Sequence, residues 1–174
     1  MIRAWVFGQT AVLVFDWYEP DPAGPEHGVR IEVRLLRDCG ARGSPSAAQE
    51  IVIDRPLFRA DLFDLVAGEP GNFARAHYHP SFEGGEGGVG GVGVGVEPSE
   101  REWDGELSAH PFAWLAGRLS DLEAIVAAAD AAGTAGAVDP EGLAADAAAL
   151  REVVAEVVAA AETVMARVRS RAAG

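Results

Sequence analysis

Between residues 139 and 171 the chain places apolar residues at alternating steps of four and three: Leu143, Ala147, Leu150, Val154, Val157, Ala161, Val164 and Val168. Such steps return to one face of an α-helix. Asp139 followed by Pro140 supplies an N-cap and a first-turn proline. A helix with an apolar stripe along its whole length must lay that stripe against another surface. Val153, Val158 and Met165 widen the stripe, as expected of a helix packed on a globular core. A seam shared with a second copy is the alternative, so monomer and homodimer both stay open. Arg167, Arg169 and Arg171 complement the helix dipole and need no ligand to explain them.

The surface to be covered is written in the first 60 residues, which read as strands. Residues 2–9 and 11–18 are rich in aromatic and β-branched residues and flank Gly8-Gln9-Thr10, a hairpin pattern. Val29, Ile31, Val33 and Leu35 then alternate with Arg30, Glu32 and Arg34, giving one buried face and one wet face. A fourth strand begins at residues 50–54 and continues through 57–65 after Pro56; residues 74–79 add a short fifth. Short connections predict an antiparallel meander. The expected fold is therefore α+β, an N-terminal antiparallel sheet of four or five strands with C-terminal helices packed on one face. Trp5, Phe7, Phe15, Trp17, Phe58 and Phe63 are the expected core or pocket walls.

A single domain of 174 residues is expected, mainly β over 1–83 and mainly α over 108–172. Residues 84–97 read as a glycine-rich flexible loop, because glycine is costly to order and the tract lacks the Gly-Lys-Ser/Thr ending of a phosphate-binding loop. Pro111 is placed to open a short helix, and Ser120-Asp121-Leu122-Glu123 has the capping-box pattern of another that stops near Gly133.

Charge narrows the partners. The net charge is −13, with 7 Arg against 8 acids in residues 1–60 and 7 Arg against 19 acids thereafter. That surplus argues against nucleic acid, which is bound through phosphate neutralisation, and against anionic membranes. No apolar run is long enough for a membrane span, and the start lacks the apolar core of a signal peptide, so a soluble cytoplasmic protein is expected. Cys39 is the single cysteine, which excludes an internal disulfide.

Chemistry concentrates in residues 59–83. On an extended backbone His77 and His79 share a face. Arg59, Asp61 and Phe63 share a face of their own strand, from which Asp61 is placed to meet either histidine as an orienter or a third ligand. Arg59, Asp61, His77 and His79 are therefore the candidate ligand-binding residues, with Tyr78 and Phe82 nearby; a surface Arg–carboxylate pair and histidines pinning a loop are the plainer reading of the same residues. Residues 100–106 carry acids around Trp103 and read as a solvated acidic loop. No Gly-x-Ser-x-Gly elbow is present.

The spacing Gly71-x5-His77-x-His79-x3-Glu83-x6-Gly90 is similar to the first motif of the cupin family. The resemblance implies a small β-barrel in which His77, His79 and Glu83 hold one divalent transition metal, Fe, Mn, Zn or Ni. Two functions are thus expected of the sequence. One is a protein that binds a small molecule or another protein without a cofactor or a recognisable catalytic motif. The other is a metal-dependent enzyme centred on residues 77–83.

Overall fold

A computed structural model describes residues 2–20, 22, 24–41, 49–83, 97–136 and 138–172. Five strands form one antiparallel sheet in chain order: β1 (Ile2–Val6), β2 (Thr10–Glu19), β3 (Glu26–Ala41), β4 (Gln49–Leu65) and β5 (His77–His79). β6 (Phe82–Glu83) and β7 (Glu97–Pro98) form a two-stranded ribbon, and Tyr78 bridges to Glu102 beyond it. The helices are α1 (Gly105–Ala109), α2 (Pro111–Leu119), α3 (Leu122–Ala131) and α4 (Pro140–Ala172). This is the α+β architecture expected. The small β-barrel implied by the cupin resemblance is not built, because the described strands make an open meander with helices on one face. The glycine-rich tract, residues 84–96, and the side chain of Cys39 lie outside the described residues.

Cross-strand register separates the two faces of the sheet. Val12, Val33 and Phe58 align across β2, β3 and β4, as do Val14, Ile31 and Ala60, and all six are buried. α4 covers this row over β2 and β3, while α3 packs on β4 and α2 on α4. The seam of α4 from Ala147 to Val168 is buried in that contact, which places its stripe in the core. Pro56 falls where the β3–β4 register shifts, an irregularity that accommodates a residue with no N–H to give to the ladder.

The ends of the helices follow backbone hydrogen-bond demand. Asp139 accepts from Gly142 N at 2.7 Å, and Pro111 opens α2. α3 is capped by Asp121, which accepts from Ala124 N, and Ser120 closes α2 instead. The Ser120 capping box is corrected by one residue: the preceding helix already holds the Ser120 hydroxyl on Ala116 O. Gly133 follows α3 with a φ of 74°, the left-handed position glycine favours after a helix end.

Two buried carboxylates tie helix α4 to the loops. Asp146 accepts from the backbone N–H groups of Gly8, Gln9 and Thr10 at 2.8–2.9 Å and from the Thr10 hydroxyl, fastening the β1–β2 turn to α4. Asp64 accepts from Gly71 N, Phe73 N and the Arg169 guanidinium. Arg169 therefore has a specific partner beyond the helix dipole. The second anchor fixes the loop whose Phe73 takes a φ of 47°, and with it the entry into β5.

Candidate functional site

The other face of the sheet carries the chemistry. Here Arg30 pairs across with Asp61, Asp61 with His77, and Arg59 with His79. Arg59 and Asp61 thus reach the same patch as both histidines, whose ring centres are 5.3 Å apart. Asp61 is 0% exposed, His77 1% and His79 3%.

A wet face was the expectation around Arg30, and at this point it does not hold. Arg30 is buried, its Nε 2.6 Å from Asp61 Oδ1 and its guanidinium 3.9 Å from the centre of the Trp17 ring. A cation sealed in this way is tolerated because it gains a charge-assisted hydrogen bond and an aromatic face together. Gly28 makes room beside it. A Cβ at Gly28 would lie 2.1 Å from Leu62 O, so only glycine fits, and the Phe63 ring occupies the space next to Arg30 and His77.

The histidines are oriented by backbone. His77 Nδ1 lies 2.8 Å from Arg75 O, and His79 Nδ1 lies 2.6 Å from Ser99 O. A carbonyl oxygen only accepts, so each Nδ1 carries a proton, and an imidazole with that single proton keeps its lone pair on Nε2. Both Nε2 atoms turn toward Asp61 Oδ2, at 3.3 Å from His77 and 3.8 Å from His79. Arg59 Nη2 reaches His79 Nε2 at 2.7 Å, while Arg59 Nε approaches Asp61 Oδ2 at 2.9 Å without the alignment of a hydrogen bond. His77 Nε2 and Asp61 Oδ2 are both buried and have no hydrogen-bond partner. Two bases facing each other at this distance call for a cation between them or a second proton on His77.

Protonation follows from the surroundings. Burial alone would raise the Asp61 carboxyl. The facing His77 and the charges of Arg30 and Arg59 outweigh it and hold the group at about 2. Burial pushes the His79 imidazole down to about 4, with the Arg59 charge adding to the effect against the Ser99 hydrogen bond and the Asp61 charge. At neutral pH Asp61 is ionised and His79 neutral. Since His79 gains protons on unfolding below its ordinary value of 6.5, its contribution to stability is complete above that pH. It falls away down to about pH 4, a loss of about 2–3 kcal/mol in metal-free protein. Urea unfolding in chelator at pH 7 and pH 4.5 checks this, and His79→Gln is expected to shrink the difference, with His27, also held below its ordinary value by burial, contributing to what remains.

Glu83 stands apart. It is exposed on β6, beyond Pro80 and Ser81, and lies outside the group whose ligating atoms fall within 4.8 Å of one another, which is Asp61, His77 and His79. Tyr78 is also absent from this patch: it pairs with Ala60 on the helix face, and its hydroxyl donates to Glu102 at 2.5 Å. Phe82 is buried in β6. The segment 97–103 supplies what the histidine region lacked in sequence. Ser99 holds His79, and Trp103, 54% exposed, lies 5.3 Å from His77. The Asp104 that follows caps α1 and accepts from Trp114 Nε1, so this acidic stretch is partly built into the fold.

No protein-family profile matches this chain, and neither a curated protein nor a solved structure matches it. Among the described residues no helix is long and apolar enough to cross a membrane.

Proposed function

We propose that the chain is a binding protein whose ligand is one divalent transition metal, held on the outer face of the sheet by Asp61 Oδ2, His77 Nε2 and His79 Nε2. One observation carries this reading. Both imidazoles give Nδ1–H to a backbone carbonyl, so in their neutral forms two Nε2 lone pairs and a carboxylate oxygen gather within 4.8 Å of one another. Carbonyl acceptors orient metal-binding histidines in the same way. Ligands about 2.1 Å from an ion lie about 3.0–3.5 Å apart; Asp61 Oδ2 is 3.3 Å from His77 Nε2 and 3.8 Å from His79 Nε2, with all three ligand residues offering atoms within 4.8 Å of one another, so a small inward movement of His79 completes the set. Two imidazoles and a carboxylate suit Zn, Fe, Mn or Ni.

Charge in the patch does not oppose a cation as strongly as two arginines suggest. Arg30 also approaches Glu19 at 3.7 Å, and Glu32 lies close enough to Arg59 to offset part of its charge. Arg59 is the competitor, since its Nη2 occupies the His79 lone pair and must release it for His79 to ligate. The metal-free alternative is an Arg30–Asp61–Arg59 network in which His77 takes a second proton.

Elemental analysis of protein purified without a histidine tag separates the two. About one equivalent of metal per chain is expected, lost in the His77→Ala/His79→Ala double variant and in Asp61→Asn. Glu83→Gln is expected to retain it, and Arg59→Gln to bind at least as tightly as the parent. A parent protein that takes up no metal from added Zn²⁺ or Mn²⁺ and shows no change in Tm would refute the proposal.

A further inference from the structure

On the opposite, helical side of β5 an open cleft of about 370 Å³ is lined by Asp104, Ala113, Trp114, Gly117, Arg118 and Asp121. Arg118 is its unusual member. The centre of its guanidinium lies 5.2 Å from the Tyr78 ring, 5.7 Å from Trp114 and 5.8 Å from Phe58. Its Nε is sealed from solvent without a hydrogen-bond partner, and among the described residues the guanidinium makes no ion pair. The nearby carboxylates are otherwise engaged. Asp104 accepts from Trp114 Nε1 and Glu106 N, and Asp121 caps α3. Asp104 feels the Arg118 charge, yet no side chain among the described residues takes a hydrogen bond from this arginine, which three aromatic rings hold beside the cleft.

We infer that this cleft binds a monocarboxylate with an apolar or aromatic body, the carboxylate on Arg118 and the body over Trp114 and the open surface at Gly117. The planar guanidinium matches a carboxylate with two parallel hydrogen bonds. Asp104 and Asp121 flank the cleft and oppose any anion, a dianion such as phosphate about twice as strongly as a monocarboxylate. Trp114 provides the apolar wall, and the volume lies at the low end of small-molecule sites, about 300–1,000 Å³. A free organic acid and the C-terminal carboxylate of a peptide offer the same chemistry.

The probes are 3-phenylpropionate, N-acetylphenylalanine, N-acetylphenylalaninamide and inorganic phosphate, titrated to about 10 mM while the Arg118 Nε–H resonance is followed. Arg118→Gln assigns that resonance by its disappearance. Both carboxylates are expected to move it and to bind at least about tenfold more weakly to Arg118→Gln by calorimetry, while the amide and phosphate leave it unchanged. Tighter binding of N-acetylphenylalanine points to a peptide terminus, and tighter binding of 3-phenylpropionate to a free acid. Gly117→Leu is the second variant. A Cβ at Gly117 meets nothing within 4 Å, so the new side chain fills the cleft without a clash and is expected to block binding in a protein of unchanged Tm. No response to either carboxylate, or equal affinity in Arg118→Gln and Gly117→Leu, would overturn the inference.

Discussion

Val157→Asp is expected to destabilise the protein by about 3 kcal/mol or more, a large share of a typical domain's 5–15 kcal/mol. Val157 is fully buried at the middle of the α4 seam, between Val154 and Ala161, which are also buried. α4 packs on β2 and β3, and Val157 belongs to the buried apolar cluster, so a carboxylate at this position enters the hydrocarbon core. Glu156, one position away and exposed, gives the control: Glu156→Ala should change stability by no more than about 0.5 kcal/mol. Urea unfolding followed by circular dichroism measures both. If Val157→Asp kept its Tm and instead turned an oligomer into a monomer, the seam would be an interface between copies.

Asp61→Ala is expected to cost about 3–5 kcal/mol in metal-free protein. Among the described residues Asp61 is the one carboxylate within 3 Å of both Arg30 and Arg59, and removing it leaves two guanidinium groups in a patch with almost no solvent. The loss is the cost of stranding those charges rather than the worth of the pairing. A double variant tests that distinction. Asp61→Leu with Arg30→Met should be less destabilised than the sum of its single changes, because the second substitution removes a charge the first has orphaned. Additive effects would mean that Arg30 does not depend on Asp61.

The sheet and its helices were legible because their signals are periodic and local. Alternation from Val29 to Leu35 marks a strand with two unlike faces, and the α4 stripe marks the helix that covers one of them. The site was legible only in part. Parity along the strands puts Arg59 with Asp61 and His77 with His79. That these pairs oppose each other across β4 and β5 depends on register, which no single strand encodes. Arg30 read as a solvent-facing residue because its partner is 31 positions away. Trp103 and Ser99 reach the histidines only through the pairing of β5 with the chain after β7, and an acidic loop gives no local hint of it. Glu83 shows the converse: it is close in sequence, but Pro80 and Ser81 intervene and Asp61, 16 positions before His77, faces the histidines instead.

Long-range ¹⁵N–¹H spectra of the histidine rings, in chelator and after one equivalent of Zn²⁺, bear most directly on the convergence of His77 and His79 on Asp61. At neutral pH the metal-free protein is expected to show His79 protonated at Nδ1 alone, through its hydrogen bond to Ser99 O, and His77 with Nδ1 protonated toward Arg75 O. Added Zn²⁺ should then shift the Nε2 resonances of both rings together, with no matching change in Asp61→Asn. A doubly protonated His77 that stays so in the presence of metal, with His79 Nε2 still held by Arg59, would contradict the metal site and leave a buried ion network in its place.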